Sequence, residues 1–187
     1  NPEPLADIID FFILGEGEEV INEVLDIYIE WKGNGTSRED FLDKISSVEG
    51  VYVPSFYDVQ YNDDGTVKTV VPIKDKYPRK IRKRIIKDLD NVYYPEKVIV
   101  PFTDIVHNRL MLELFRGCIR GCRFCQAGFI YRPVREKNPE KLVEYAKKLE
   151  ESTGYEEISL ASLSTSDYTG LGELTEQLIE EMEPRKV

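Results

Sequence analysis

Arg116-Gly-Cys-Ile-Arg-Gly-Cys-Arg-Phe-Cys125 holds all three cysteines of the chain, Cys118, Cys122 and Cys125, at C-x3-C-x2-C spacing. Three thiolates on one short loop can converge on a soft metal centre, which narrows the candidates to zinc and an iron–sulfur cluster. Structural zinc asks for four ligands, and carboxylates aside, only the single histidine, His107, is left to complete the set. A 4Fe–4S cubane held by three cysteines leaves one iron open, which turns an electron carrier into a reaction site. The bland readings of the same residues are a zinc knuckle without catalysis and three inert thiols. Inert thiols are usually scattered and not spaced like ligands.

The match Cys118-Ile-Arg-Gly-Cys122-Arg-Phe124-Cys125, with an aromatic residue just before the last cysteine, resembles the signature of the radical S-adenosylmethionine (SAM) superfamily. The resemblance implies that Cys118, Cys122 and Cys125 hold a 4Fe–4S cluster whose open iron chelates the amino and carboxylate groups of SAM. It implies reductive cleavage to methionine and a 5'-deoxyadenosyl radical, with Phe124 near the adenosine. The flanks agree with that chemistry. Arg116, Arg120, Arg123, Arg132 and Arg135 surround the loop, and no acid stands between Glu113 and Glu136. Guanidinium groups suit both a negatively charged cluster and a carboxylate.

The 187 residues carry a net charge of −10, which argues against a generally sticky nucleic-acid surface. One local exception is the run Lys76, Arg79, Lys80, Arg82, Lys83, Arg84 and Lys87. Such a run can meet RNA phosphates, and otherwise reads as a solvated face. No apolar run approaches the roughly 20 residues of a membrane span, and no signal peptide is evident. Cysteines confined to one ligand loop suit a reducing cytoplasm. A barrel spends about 31 residues per β/α unit, so little more than two units fit after Cys118. The chain also begins at Asn1 without methionine, and it reads as a piece of a longer protein.

Along the chain, Phe11-Phe12-Ile13-Leu14 ended by Gly15 has the pattern of a buried parallel strand. A helix follows, with Val20, Ile21, Val24, Leu25, Ile27, Tyr28 and Trp31 at helical spacing until Gly33 and Gly35. Asn1-Pro2-Glu3-Pro4-Leu5-Ala6-Asp7 and Phe11 to Glu18 are similar to the last part of a cobalamin-binding domain found ahead of many radical SAM cores. The cobalamin-ligating motif Asp-x-His-x-x-Gly is absent, and Asp104-Ile-Val-His107 does not fit it. Thr36 to Asp40 supplies capping-box chemistry for a short helix through Phe41, Leu42 and Ile45. Asn62-Asp63-Asp64-Gly65 is a hairpin turn between β-rich segments.

Arg109 to Phe115 reads as a first barrel strand that delivers the cysteine loop at its carboxyl end, where barrel sites lie. Asn138-Pro139 opens a helix with the buried stripe Leu142, Val143, Ala146 and Leu149, ended by Gly154. Glu157 to Ala161 is the second strand, and Leu171, Leu174, Leu178, Ile179 and Met182 form the next helix before Pro184. Between them, Ser162-Leu-Ser-Thr-Ser-Asp167-Tyr168 is a dense polar run. Relatives often carry Gly-Gly-Glu here to hold the methionine amino group. The run looks more like the serine-rich variant of cobalamin-associated and methylthiotransferase-like members. Ser162, Ser164, Ser166 and Asp167 are therefore candidate SAM-binding residues, against the plainer reading of a serine- and threonine-rich turn capping the next helix.

The expected fold class is α/β. It comprises the end of a doubly wound cobalamin-binding-like domain over 1–34, an α+β connector with a β-hairpin over 35–104, and the first two β/α units of a partial (β/α)6 barrel over 105–187. The expected function is a radical SAM enzyme with cobalamin-dependent methyl transfer as its leading version. The alternatives are a methylthiotransferase-like RNA-modifying enzyme and a non-catalytic zinc-binding module. A small-molecule or RNA substrate, an electron donor such as flavodoxin or ferredoxin, and self-association through exposed barrel edges complete the expectations.

Overall fold

The computed structural model describes residues 2–103 and 105–183, and the expectations that touched Asn1, Asp104 and Pro184 lie outside them. The chain divides into two compact units, Asn1–Ile86 and Lys87–Val187.

In the first unit, β1 (Phe12–Ile13) leads to α1 (Val20–Asn34), α2 (Arg38–Ile45) and β2 (Val51–Tyr52), followed by the hairpin of β3 (Tyr57–Tyr61) and β4 (Val67–Pro72). The Ser37 hydroxyl accepts from the Asp40 amide while the Asp40 carboxylate accepts from the Ser37 amide, so the expected capping box starts α2. Phe41, Leu42 and Ile45 are then buried with Val20, Val24, Val51, Val53 and Phe56. The expected hairpin also forms, with the Gly65 amide donating to Asn62 O across the turn.

Three expectations for this unit differ from the structure. Phe11–Leu14 reads as a buried parallel strand, yet β1 is two residues long, half-buried and antiparallel to β2, in the register Phe12 to Tyr52 and Ile13 to Val51. The cause is long-range: the Leu14 amide bonds Gly50 O and the Leu14 carbonyl accepts from the Arg84 amide, so later segments of the chain take its hydrogen-bonding groups. The α1 stripe is wider than the core it meets, with Val20 and Val24 buried while Ile21, Leu25 and Tyr28 stay exposed. Third, the basic run is tied down by ion pairs at Lys76, Arg82 and Arg84, while Arg79, Lys80 and Lys87 stay exposed as a solvated face would have them. Arg84 bridges Glu19 (2.8 Å) and Glu23 (2.6 Å), Arg82 pairs with Glu49, and Lys76 with Asp43. Arg84 passes so close to Gly15 (φ +115°) that a Cβ there would fall 2.1 Å from the Arg84 carbonyl oxygen. Only glycine fits that crossing.

The second unit contains β5 (Leu110–Glu113), β6 (Phe115–Arg116), α3 (Ala127–Ile130), β7 (Arg135–Glu136), α4 (Pro139–Thr153), β8 (Ile158–Ala161) and α5 (Leu171–Glu181). Strands β5 and β8 are parallel, Leu110 opposite Ile158 through Glu113 opposite Ala161, with α4 on the connection between them. Parallel neighbours require such a crossover. Leu110, Leu112 and Leu114 bury one face of the pair against Leu142, Ala146, Leu149, Leu174 and Leu178 of the two helices. The expected α4 stripe is buried throughout, and Ile179 of the expected α5 stripe is exposed. The expected single strand Arg109–Phe115 is divided. Leu110–Glu113 pairs with β8, and Phe115–Arg116 turns away to pair antiparallel with β7.

The expected divisions at 34 and 104 are not where the compact units part. α1 shares its core with α2 and β2. Residues 87–103 join the second unit instead, where Tyr94 stacks on Tyr145 at 4.4 Å and its hydroxyl donates to Met111 O, and where Asp90 receives the Asn138 amide. Among the described residues no helix is long and apolar enough to cross a membrane.

Candidate radical SAM site

The cysteine loop is an excursion closed at its base. β6 and β7 pair Phe115 with Glu136 and Arg116 with Arg135, so residues 117–134 leave and return through one antiparallel clasp. Gly117 (φ +98°) makes the exit possible, since a Cβ there would lie 2.8 Å from Pro133 O and 2.9 Å from the Val134 Cα. The clasp is seated on the core of the second unit. The Lys137 amide donates to Leu114 O, Phe115 stacks on Tyr168, and the Tyr168 hydroxyl donates to Lys137 O at 2.7 Å.

Beneath the clasp lies a buried charge cluster that the sequence reading missed. Lys137 is 1% exposed, and its ammonium donates to the Glu113 carboxylate (2.7 Å) and the Glu113 main-chain oxygen (3.0 Å) while facing the Tyr94 ring at 4.8 Å. Arg116 grips the same carboxylate through Nε (2.8 Å) and a terminal nitrogen (3.1 Å). Burial pushes Lys137 below its ordinary pKa, with Glu113 pulling the other way. Burial pushes the Glu113 carboxyl up, but the bonds from Arg116 and Lys137 outweigh it and hold the carboxyl below its ordinary value. Lys137 stands between Glu136 and Asn138, a polar setting that gives no sequence signal of burial; the position of Glu113 at the end of an apolar strand was the available hint.

The loop itself carries Cys118 and Cys125 partly exposed and Cys122 exposed, all three as free thiols. The Cys125 amide donates to Cys122 O, and the Arg120 amide donates to Cys118 Sγ at 3.5 Å. Among the described residues no three His, Cys, Asp or Glu side chains are gathered into a metal-holding group. The donor chemistry nevertheless fits an iron–sulfur cluster, because three soft, accessible thiols stand within one loop and none is committed to a disulfide. His107 is exposed and bonds Arg109 at 2.6 Å. Phe124 is 93% exposed, standing free on the loop between Arg123 and Cys125.

Of the five flanking arginines, Arg123 is exposed and the other four are engaged. Arg116 belongs to Glu113, Arg132 donates to Gly128 O (2.7 Å) and covers the Phe129 ring, and Arg135 donates to Pro133 O. Arg120 is the one that reaches across. It pairs with Asp167, Nε to Oδ2 at 2.7 Å with a second bond from a terminal nitrogen to Oδ1. The residues after β8 thus meet the cysteine loop, as their place at the strand's carboxyl end suggests. Their hydroxyls, however, are engaged within the turn. Ser164 Oγ donates to Asp167 (2.7 Å), Ser162 Oγ bonds Thr165 Oγ1 (3.0 Å) and accepts from the Ser164 amide, and Ser166 is exposed. Arg120 first, and then Ser164, hold the Asp167 carboxyl below its ordinary pKa.

Comparison with known families agrees with this loop. Residues 112–186 match the radical SAM superfamily, and residues 1–54 match the N-terminal region of radical SAM proteins. The chain belongs to the radical SAM superfamily. The radical SAM match begins within β5 and takes in the clasp, the cysteine loop and the Ser162–Asp167 turn. The N-terminal match runs through β1, both helices and β2, the elements that share the first unit's core. A protein of Methanocaldococcus jannaschii described as uncharacterized is 28% identical over 176 residues, 91% of this chain and 31% of that protein. The chain therefore spans about a third of that relative's length. No solved structure matches it.

Proposed function

We propose that this chain carries the cluster end of a radical SAM enzyme, with Cys118, Cys122 and Cys125 as the ligands of a 4Fe–4S cluster. The observation that supports this most directly is the set of three free, accessible thiols at C-x3-C-x2-C spacing on a loop clasped at the carboxyl end of a parallel strand. When bound, such a cluster supplies the electron that splits SAM into methionine and a 5'-deoxyadenosyl radical.

The chain's own residues would do the rest. The thiolates bind iron, and because they are not gathered here, binding would draw the 118–125 segment together. Phe124, free on the loop, offers its ring face to the adenosine. The Ser162–Asp167 turn borders the same side, and its exposed member, Ser166, is the hydroxyl best placed to meet a ligand. The β5 and β8 strands would be the first two of a partial (β/α)6 barrel, and the rest of a longer protein would enclose the substrate, a small molecule or an RNA. A flavodoxin or ferredoxin would deliver the electron. Cobalamin-dependent methyl transfer is the finer form of this reading, supported by the likeness of residues 1–18 to the end of a cobalamin-binding domain.

The test is anaerobic reconstitution with iron and sulfide, followed by low-temperature EPR of the reduced protein with and without SAM. A 4Fe–4S signal that changes on adding SAM is the expected result. One zinc per chain with no acid-labile sulfide, in the full-length protein, would replace this reading with a zinc-binding module.

A further inference from the structure

Arg120 stands between the first and second cysteines of the loop, Cys118 and Cys122: its own amide touches Cys118 Sγ, and its guanidinium is tied two-fold to Asp167 on the turn after β8. The two ends of this contact differ. The Arg120 side chain is 58% exposed, whereas Asp167 is 10% exposed and held by the Ser164 hydroxyl as well. Asp167 is thus the fixed member and Arg120 the carried one. The link spans 47 positions of sequence and ties the tip side of the loop, which the β6–β7 clasp does not reach, to the core-bound turn. The fields of Cys118 and Cys122, when ionised, add to that of Asp167 in stabilising the Arg120 charge. Two parallel bonds from a guanidinium fix orientation as well as distance.

We propose that Asp167 is a positioning residue that acts through Arg120: it fixes the first half of the cysteine loop against the turn after β8 and holds a guanidinium beside Cys118 and Cys122. On this view Asp167 is not a SAM ligand, because both its oxygens are taken by Arg120. The proposal rests on the cluster reading for its consequence, but the latch itself is a property of the protein without iron.

The experiment compares wild type, Asp167→Asn, Arg120→Ala, the double variant and Asp167→Glu in the full-length protein. Hydrogen exchange is read on peptides covering 117–125 without iron, and the rate of iron loss to a chelator is read after anaerobic reconstitution. Either single substitution should speed both processes about fivefold, in line with a well-formed guanidinium–carboxylate pair at the strong end of the surface range. The double variant should be no faster than either single one, and Asp167→Glu should return to within about twofold of wild type. Asp167→Asn within twofold of wild type in both readings would overturn the proposal. So would a double variant whose effect is the product of the two singles, or an Asp167→Glu protein as fast as Asp167→Asn. If wild type takes up no cluster, the functional reading fails, and the exchange comparison still decides the latch.

Discussion

Removing the Glu113 carboxylate should unbalance the second unit more than removing the lysine it holds. Glu113→Ala withdraws the only carboxylate on Lys137 among the bonds described for it, leaving an ammonium with no exposure, one main-chain oxygen at 3.0 Å and the Tyr94 ring. Stranding one member of a buried ion pair costs about 3–5 kcal/mol. The remaining carbonyl and ring soften the loss, so about 3 kcal/mol is expected. Lys137→Met removes the buried charge and keeps an unbranched chain in its place. Glu113 then still has Arg116 at 2.8 and 3.1 Å and is a third exposed, so a cost of about 1 kcal/mol or less is expected.

A pH comparison separates this account from simple loss of packing. Burial already places the folded Lys137 below its ordinary pKa, and without Glu113 it falls further. Between that value and the unfolded one, about 10.4, the unfolded chain binds more protons than the folded one, so stability rises with pH. The Glu113→Ala deficit should therefore shrink between pH 7 and pH 9.5, and the Lys137→Met deficit should not. Urea unfolding followed by circular dichroism at both pH values reads this directly. A Glu113→Ala protein that loses no more than Lys137→Met at pH 7, or whose deficit is the same at pH 9.5, would refute the reasoning.

Three further outcomes are expected. Ser37→Ala removes the hydroxyl half of the α2 capping box and should cost about 1 kcal/mol in urea unfolding; no measurable change would show that the Asp40 half suffices. Gly117→Ala places a Cβ 2.8 Å from Pro133 O at φ +98°, and should cost about 1–3 kcal/mol and lower iron uptake on reconstitution; wild-type uptake would mean that the clasp yields. Asp43, Glu113 and Asp167 all titrate below their ordinary values, Asp43 because Lys76 and then Tyr77 bond it. Groups of this kind stabilise the fold above the unfolded carboxyl pKa values, about 3.9 and 4.3, and lose that contribution as pH falls through the folded ones. The urea midpoint should therefore hold from pH 7 to 5 and drop steeply below pH 4, and a flat profile to pH 3 would contradict these shifts.

What the sequence made legible follows from how local each signal is. Capping residues, hairpin turns and helix stops act over three or four positions, and the α2 box, the Asn62–Gly65 turn and the glycine ends of α1 and α4 stand where the sequence puts them. The three cysteines were legible for the same reason, since their spacing is their signal. What escaped was long-range. Nothing in Phe11–Leu14 says that Gly50 and Arg84 will take its backbone groups in place of a parallel neighbour. Lys76, Arg82 and Arg84 of the basic run look free until Asp43, Glu49, Glu19 and Glu23 meet them. Nothing local to Asp167 says that an arginine 47 positions away will pair with it.

The same long-range contacts explain how a loop rich in glycine and arginine can serve as a site at all. A chain leaving a strand end over glycines is entropically costly to order, and its thiols gain nothing from being near one another until metal arrives. The second unit limits that cost at two points. At the base, β6 and β7 join the loop's ends to a core that already buries Leu114, Phe115 and Tyr168, and the Lys137–Glu113–Arg116 cluster holds β7's exit to β5's end. Higher up, Arg120 meets Asp167. Between these two points Cys122 and Phe124 stay exposed, as do Ile119 and the stretch Phe129 to Tyr131. The loop is thus anchored at its base and again at Arg120 before any cluster binds, and the binding energy of three thiolates would be spent on gathering the 118–125 segment and not on anchoring the loop.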